Sequence, residues 1–226
     1  MRHTIPQIRA KIGLRGAMAA RQPVFESTAK ETGRVEAFSD GVFGIAMTLL
    51  VLDIKVPPPA NGTRLAEDLL RQWPAYFSYV TTFLTVLIMW MNHHKLFRHI
   101  HRINHPFLVL NGLLLMGVTL VPFPTALLAA YLGHPGAQTA AAVYSGWFIV
   151  IAIFFNLLWR YAASRGRLLA RDYDPVAVAA ITGQYRFGPL FYVAAFGLAF
   201  LNVAASVGLC FALAVFFAVP ERQARR

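Results

Sequence analysis

"RVEAFSDGVFGIAMTLLVLDI", residues 34–54, is the segment on which the fold turns. It is an apolar run of about the 20 residues that cross a bilayer, yet it carries Ser39 and Asp40 near its first end. A carboxylate in a low-dielectric setting is costly unless paired, and an acid inside a membrane is a functional suspect. Winding the segment at about 100° per residue lines Arg34, Phe38, Gly41, Ile45, Thr48, Leu49 and Leu52 along one face. Ser39 and Asp40 point well away from that face, so the stripe and the pair must do different jobs.

The rest of the chain repeats the apolar theme. Of 226 residues, 57% are hydrophobic and 14% charged, against roughly 25% charged in soluble domains. Too few charges remain to coat a soluble surface, which makes this a polytopic membrane protein. The net charge of +11 comes from basic residues gathered between the apolar blocks. Charge so placed reports topology rather than nucleic-acid binding, for which no motif is present. Cys210 is the only cysteine, so neither an intrachain disulfide nor a cysteine metal site is expected.

Working outward, the first helix spans 35–55 and ends at "VPPPANG", whose prolines and glycine stop it. Further helices are predicted at 73–91, at 106–120 (with Pro122 and Pro124 kinking or ending it) and at 137–159. The stretch 187–219 is too long for one crossing and short for two. Two fit if the fifth helix starts upstream, within "PVAVAAITGQYRF", and breaks near Asn202. With both termini cytoplasmic, the outer segments keep only Lys55, Arg64 and Arg71 among the basic residues, in line with the positive-inside bias. A single closing pass would put "ERQARR" outside, against that bias. The expected architecture is all-α, with six transmembrane helices and both ends inside. It comprises a basic cytoplasmic tail at 1–33, a membrane domain at 34–220 and a short basic tail at 221–226. The weak Ile5, Ile8, Ile12 pattern in the first tail does not change its reading as a disordered arm. No internal repeat is visible, which favours one small unit assembling with copies of itself over a transporter built from inverted halves.

Asp40 lies six residues in from Arg34, roughly 9 Å deep at 1.5 Å per residue. The second helix returns to that depth at "WMNHHKLF", where Trp90, Asn92, His93 and His94 offer indole, amide and imidazole donors. Ser39 and Asp40 are therefore expected to latch the first helix to the second. An alternative puts Asp40 in the wet interface with the histidines facing headgroups. Copies of the stripe around an axis would stack rings of Ile45, Leu49 and Leu52, with a ring of Thr48 hydroxyls between. Narrow apolar rings gate ions by dewetting, although the same spacing also arises from plain helix packing.

The segment "RVEAFSDGVFGIAMTLLVL" resembles the Arg-x-x-x-Phe-Ser-Asp signature on the first helix of the transmembrane protein 175 family, and "WMNHHKLF" is similar to the end of that family's second helix. The resemblance implies a homotetrameric, potassium-preferring cation channel in the cell (plasma or inner) membrane, not an enzyme. Its pore is lined by the first helix of each subunit, with K+ or another monovalent cation permeating and no cofactor. It implies constrictions at Ile45, Leu49 and Leu52, a selectivity role for Thr48, and helix-packing roles for Arg34, Phe38, Ser39, Asp40, Trp90 and the histidines. The expected partners are further copies of the chain, membrane lipid and the permeant ions.

Other features weigh less. His93, His94, His99, His101 and His105 crowd one stretch, and imidazoles bind metals, but a histidine-box oxygenase needs several such stretches. A basic, titratable loop is the simpler reading. Asp53 could draw cations to the outer mouth, but it lies about 100° off the stripe. A proton- or cation-coupled secondary transporter is the alternative function. No P-loop, nucleophile elbow or zinc-protease motif occurs.

Overall fold

Apolar runs cut by prolines and glycines leave helices as the only elements, because in lipid each backbone polar group must be satisfied within its own segment. The computed structural model describes residues 22–59 and 64–218. The helices are α1 (Gln22–Leu49), α2 (Leu65–Arg71), α3 (Trp73–Phe97), α4 (His105–Thr119), α5 (Pro122–Tyr131), α6 (Ala137–Ala163), α7 (Pro175–Leu201) and α8 (Val203–Ala218). Four segments, Glu31–Asp53, Trp73–Phe97, His105–Tyr131 and Ala137–Gly166, are long and apolar enough to cross a membrane. The protein is an all-helical, multi-pass membrane protein.

Local chemistry sets the boundaries. Asn104 caps α4, its side-chain oxygen accepting from Phe107 N at 3.1 Å, with Pro106 beside it in the first turn. Asp174 does the same for α7, accepting from Val176 N at 2.8 Å ahead of Pro175. The break near Asn202 is present: Asn202 is extended, and its side chain accepts from Ala205 N at 3.0 Å to start α8. Pro122 and Pro124 kink the third span rather than end it, because a proline in a first helical turn lacks only a donor that has no partner there anyway. Two ends differ from expectation. α1 begins at Gln22, so the helix starts upstream of the expected residue 35. Its α-helical part stops at Leu49 and tightens into a 3-10 turn over Leu50–Asp53 ahead of the prolines. Residues 1–21 and 219–226, with most of both expected tails, lie outside the described residues.

α6 is the hub of the bundle, touching α4, α5, α7 and α8, while α1 leans on α3 and α4. Small residues Ala140, Ala141, Ala142 and Ser145 on α6 are buried and let the backbones approach closely. Several polar side chains inside the bundle pair with one another or with backbone carbonyls. Tyr144 OH and Thr82 Oγ1 are 2.9 Å apart, Thr125 Oγ1 lies 3.2 Å from Thr82 Oγ1, and Trp147 Nε1 donates to Gly117 O at 2.9 Å.

One such partner is dictated by a proline. Pro189 lies inside α7 and has no N–H, so the carbonyl four residues earlier, on Tyr185, loses its helical donor. Asn156 Nδ2 on α6 donates to that carbonyl at 2.6 Å. Asn156→Leu should lower the folded-state stability by about 1 kcal/mol, the scale of a buried polar group left unpaired. Adding Pro189→Ala restores an N–H to Tyr185 O and should recover most of the loss. Thermal unfolding of the single and double variants in detergent checks this, and additive losses would contradict it.

Candidate functional site

The face of α1 that packs inward and the face that does not are both fixed by its sequence period. Thr32, Ser39, Phe43, Ala46 and Leu50 are buried at three- and four-residue spacing. Arg34, Phe38, Gly41, Ile45, Thr48, Leu49 and Leu52 are all exposed in the single subunit. Ile45 is 60% exposed and Leu52 61%, so the stripe makes little contact with its own chain. It is apolar but for Arg34 at one end and the Thr48 hydroxyl. Thr48 Oγ1 donates to Ile45 O at 2.8 Å, so its proton is used within the helix and its lone pairs are free to face outward.

The opposite side of α1 is polar where it meets α3 and α4. Glu36 and Asp40 stand one turn apart on α1, and His94 and Trp90 one turn apart on the antiparallel α3, so they meet as two rungs. Trp90 Nε1 donates to Asp40 Oδ1 at 2.8 Å. His94 Nδ1 lies 2.9 Å from Glu36 Oε1, and the His94 ring stacks on Trp90 with centroids 6.1 Å apart. Beside the rungs runs a buried chain of three side chains. Ser39 Oγ donates to Val35 O at 2.8 Å and accepts from Asn111 Nδ2 at 3.0 Å. Asn111 Oδ1 lies 2.9 Å from His93 Nε2. With the amide of Asn111 turned to donate to Ser39, its oxygen faces His93, and His93 Nε2 is the donor. His93 Nδ1 is buried without a partner, and the ring is enclosed by Phe43, Phe97 and Phe155. The imidazole serves as a buried donor to Asn111.

Several residues named from the sequence therefore occupy different places than expected. Asp40 meets the second helix through Trp90, but Ser39 reaches α4 instead, through Asn111. His93 joins the same chain from α3. His94 pairs with Glu36 rather than with the Ser-Asp pair. Asn92 turns away, because it sits about 200° around α3 from Trp90. It lines a cavity of about 70 Å³ with Asn156 and Tyr185, and its carbonyl accepts from Tyr185 OH at 3.2 Å. Asn111 and Glu36 were not singled out from the sequence. An amide alone in "FLVLNGLLL" did carry a signal, because a polar side chain within a span must find a partner. The crowded histidines diverge in space. His93 and His94 serve the latch, and His99 packs edge-on against Trp159 with centroids 6.2 Å apart. Among the described residues no three His, Cys, Asp or Glu side chains come together as a metal site. Asp53 is half-buried at the end of α1, with Oδ2 unpartnered.

A membrane helix anchored by a polar seam on one side and bare on the other is the feature that comparison with known proteins places. Residues 34–122 match the family described as endosomal/lysosomal potassium channel TMEM175. A potassium channel of Chamaesiphon minutus is 56% identical over 191 residues, covering 84% of this chain and 94% of that protein. A potassium channel of Streptomyces collinus is 42% identical over 200 residues, covering 86% and 97%. The crystal structure of a lysosomal potassium-selective channel TMEM175 homolog from Chamaesiphon minutus superposes with a TM-score of 0.77 at 54% identity, over 84% of this chain and 97% of that one. The chain belongs to the TMEM175 family.

Asn111 is the side chain that joins three helices, so its loss should be felt most. Asn111→Leu leaves His93 Nε2 buried without an acceptor, a cost of about 1–3 kcal/mol. A Tm several degrees lower with helix content intact is expected from thermal unfolding followed by circular dichroism. An unchanged Tm would show that the chain Ser39–Asn111–His93 is not holding α1.

Proposed function

We propose that the protein is one subunit of a homotetrameric, potassium-preferring cation channel with six membrane-crossing helices and both termini cytoplasmic. Four copies of α1 surround the axis, and ions pass between them. The observation that carries this reading is the exposed stripe of α1 set directly opposite the latched face, in a chain whose relatives of similar length are named potassium channels. A groove of about 610 Å³ beside Arg34, Phe38, Leu108 and Gly112 leaves the same flank of α1 without a partner in the single subunit, which supports assembly with further copies.

Along the stripe each residue has a distinct task. Ile45 forms the narrowest ring, and Leu49 and Leu52 form apolar layers beyond it. A hydrated cation entering such a ring loses water and gains no oxygens, so the closed pore is dry and non-conducting. Opening widens the rings until water enters. Thr48 lies between the Ile45 and Leu49 levels. Its donor is engaged with Ile45 O, so four hydroxyls present acceptor lone pairs to a partly stripped ion and contribute to choosing K+ over Na+. Arg34 and Phe38 stand at the cytoplasmic entrance. Ser39, Asp40, Trp90 and His93 hold the register, while His94 reinforces it through Glu36. Asn92 contributes to the packing of α3 against α7 through its carbonyl. The sites lie in the cell (plasma or inner) membrane, and no cofactor takes part.

The test is ion flux from liposomes loaded with K+ or Na+ and reconstituted with the purified protein. Conductance with K+ preferred over Na+ is expected. Saturable, pH-driven uptake of a solute would favour a coupled transporter instead. Ile45→Asn should raise the leak by wetting the constriction, and unchanged flux would remove Ile45 as the gate. Thr48→Ala should move the bi-ionic reversal potential toward that of an unselective pore without loss of assembly. A reversal potential that stays put would remove Thr48 from selectivity.

A further inference from the structure

At the end of the bundle where α3 and α6 finish, two loops are fastened together. Ile100 and Leu169 form an antiparallel bridge. Leu168 O accepts from the N–H groups of both His101 and Arg102, at 2.9 and 3.1 Å. The bridge sets Arg102 beside Arg167, whose guanidinium lies 5.1 Å above the Tyr161 ring. Tyr161 is fixed in turn, its OH accepting from Asn104 Nδ2 at 2.9 Å. The backbone that carries these arginines is therefore pinned, and the Arg167 side chain is placed over Tyr161.

Three further facts concern charge. Arg98, Arg102, Arg165, Arg167 and Arg171 are all exposed. The ion pairs among the described residues are Arg64–Glu67 and His94–Glu36, and neither includes these arginines. Of the two nearby acids, Asp172 is exposed and Asp174 is spent on capping α7. Arg165 is the one non-glycine residue at positive φ among the described residues, at φ 56 and ψ 27, followed by Gly166 at φ 62. That backbone favours glycine or asparagine. An arginine there takes on strain that glycine would avoid, which fits a side chain held for its charge. The His99 imidazole is pushed below its ordinary range first by burial and then by Arg98, Lys95 and His101, with Asp174 opposing.

We infer that this edge, built around Arg102, Arg165 and Arg167, is a docking surface for the headgroups of anionic phospholipids. It lies where the apolar spans Trp73–Phe97 and Ala137–Gly166 end, which is the depth of lipid phosphates. Charge complementarity names the partner, since unpaired guanidinium groups fork onto phosphate oxygens. Basic clusters at helix ends on the cytoplasmic side are where such headgroups bind. The inference concerns a surface away from the α1 stripe and stands or falls apart from the ion-pathway reading.

Native mass spectrometry of the full-length protein in detergent, with phosphatidylglycerol or phosphatidylcholine added at equal concentration, tests it. Phosphatidylglycerol should be retained in preference by the wild type. The preference should fall about five-fold for each arginine removed in R102Q/R165Q/R167Q, and R102K/R165K/R167K should keep most of it. Arg165→Gly relieves the strained backbone, so it should fold at least as well as the wild type and by itself lower the preference about five-fold. R64Q/R71Q at the other end of the bundle should change nothing. No phosphatidylglycerol preference in the wild type, an unchanged preference in Arg165→Gly, or an equal loss in R64Q/R71Q would overturn the inference. Tighter retention of a short RNA than of phosphatidylglycerol would assign the surface to nucleic acid and overturn it as well.

Discussion

The hydrogen bond from Trp90 Nε1 to Asp40 Oδ1 and the buried chain Ser39–Asn111–His93 beside it are the constraint on which the rest depends. Inside an apolar bundle a carboxylate, an amide and an imidazole each have very few places to go. Directional hydrogen bonds among such groups favour one geometry, even with His93 Nδ1 left without a partner. Here the geometry is rotational. With Ser39 and Asp40 bound to α4 and α3, the α1 helix cannot turn about its axis. Its period then decides which residues face away, and those are Ile45, Thr48, Leu49 and Leu52.

The side-chain latch grips α1 near its middle. Glu36, Ser39 and Asp40 are tied by side chains to α3 and α4. Beyond them the helix and the 3-10 turn that follows are held by apolar packing, chiefly of Phe43, Ala46 and Leu50, with Val42 and Met47 beside them. Dispersion contacts tolerate small displacements that a short, charge-assisted hydrogen bond does not. In the proposed channel, this distribution suits a helix whose latched middle keeps register while the segment beyond it shifts to change a pore diameter.

Much of this was legible in the residues. Apolar runs and their proline and glycine boundaries located the helices, and a period of 3.6 separated the stripe from the Ser-Asp pair. Asn202 marked the turn between α7 and α8 because a residue that caps cannot also sit mid-helix. What was missed has physical reasons. Residues 22–33 look like a tail because a polar helix has no apolar period to betray it. Pro122 was ambiguous because proline both ends helices and begins them. The partners of Asn111 and Glu36 were hidden because contacts between helices distant in sequence leave no mark on local pattern, although the lone amide of Asn111 in an apolar run did signal that it needed one. Asn92 was grouped with its neighbours by proximity in sequence, although the helix turns it to the far side of α3.

The central claim is that the exposed stripe of α1 meets its own symmetry mates and does not face lipid. Cysteine cross-linking measures this directly. In a Cys210→Ala background, Ile45→Cys should form intersubunit disulfides in native membranes under mild oxidation, seen as covalent dimers on a denaturing gel. Val193→Cys, on an exposed face of α7, should not. Dimers absent at position 45, or formed equally at 193, would place the stripe against lipid and contradict the account.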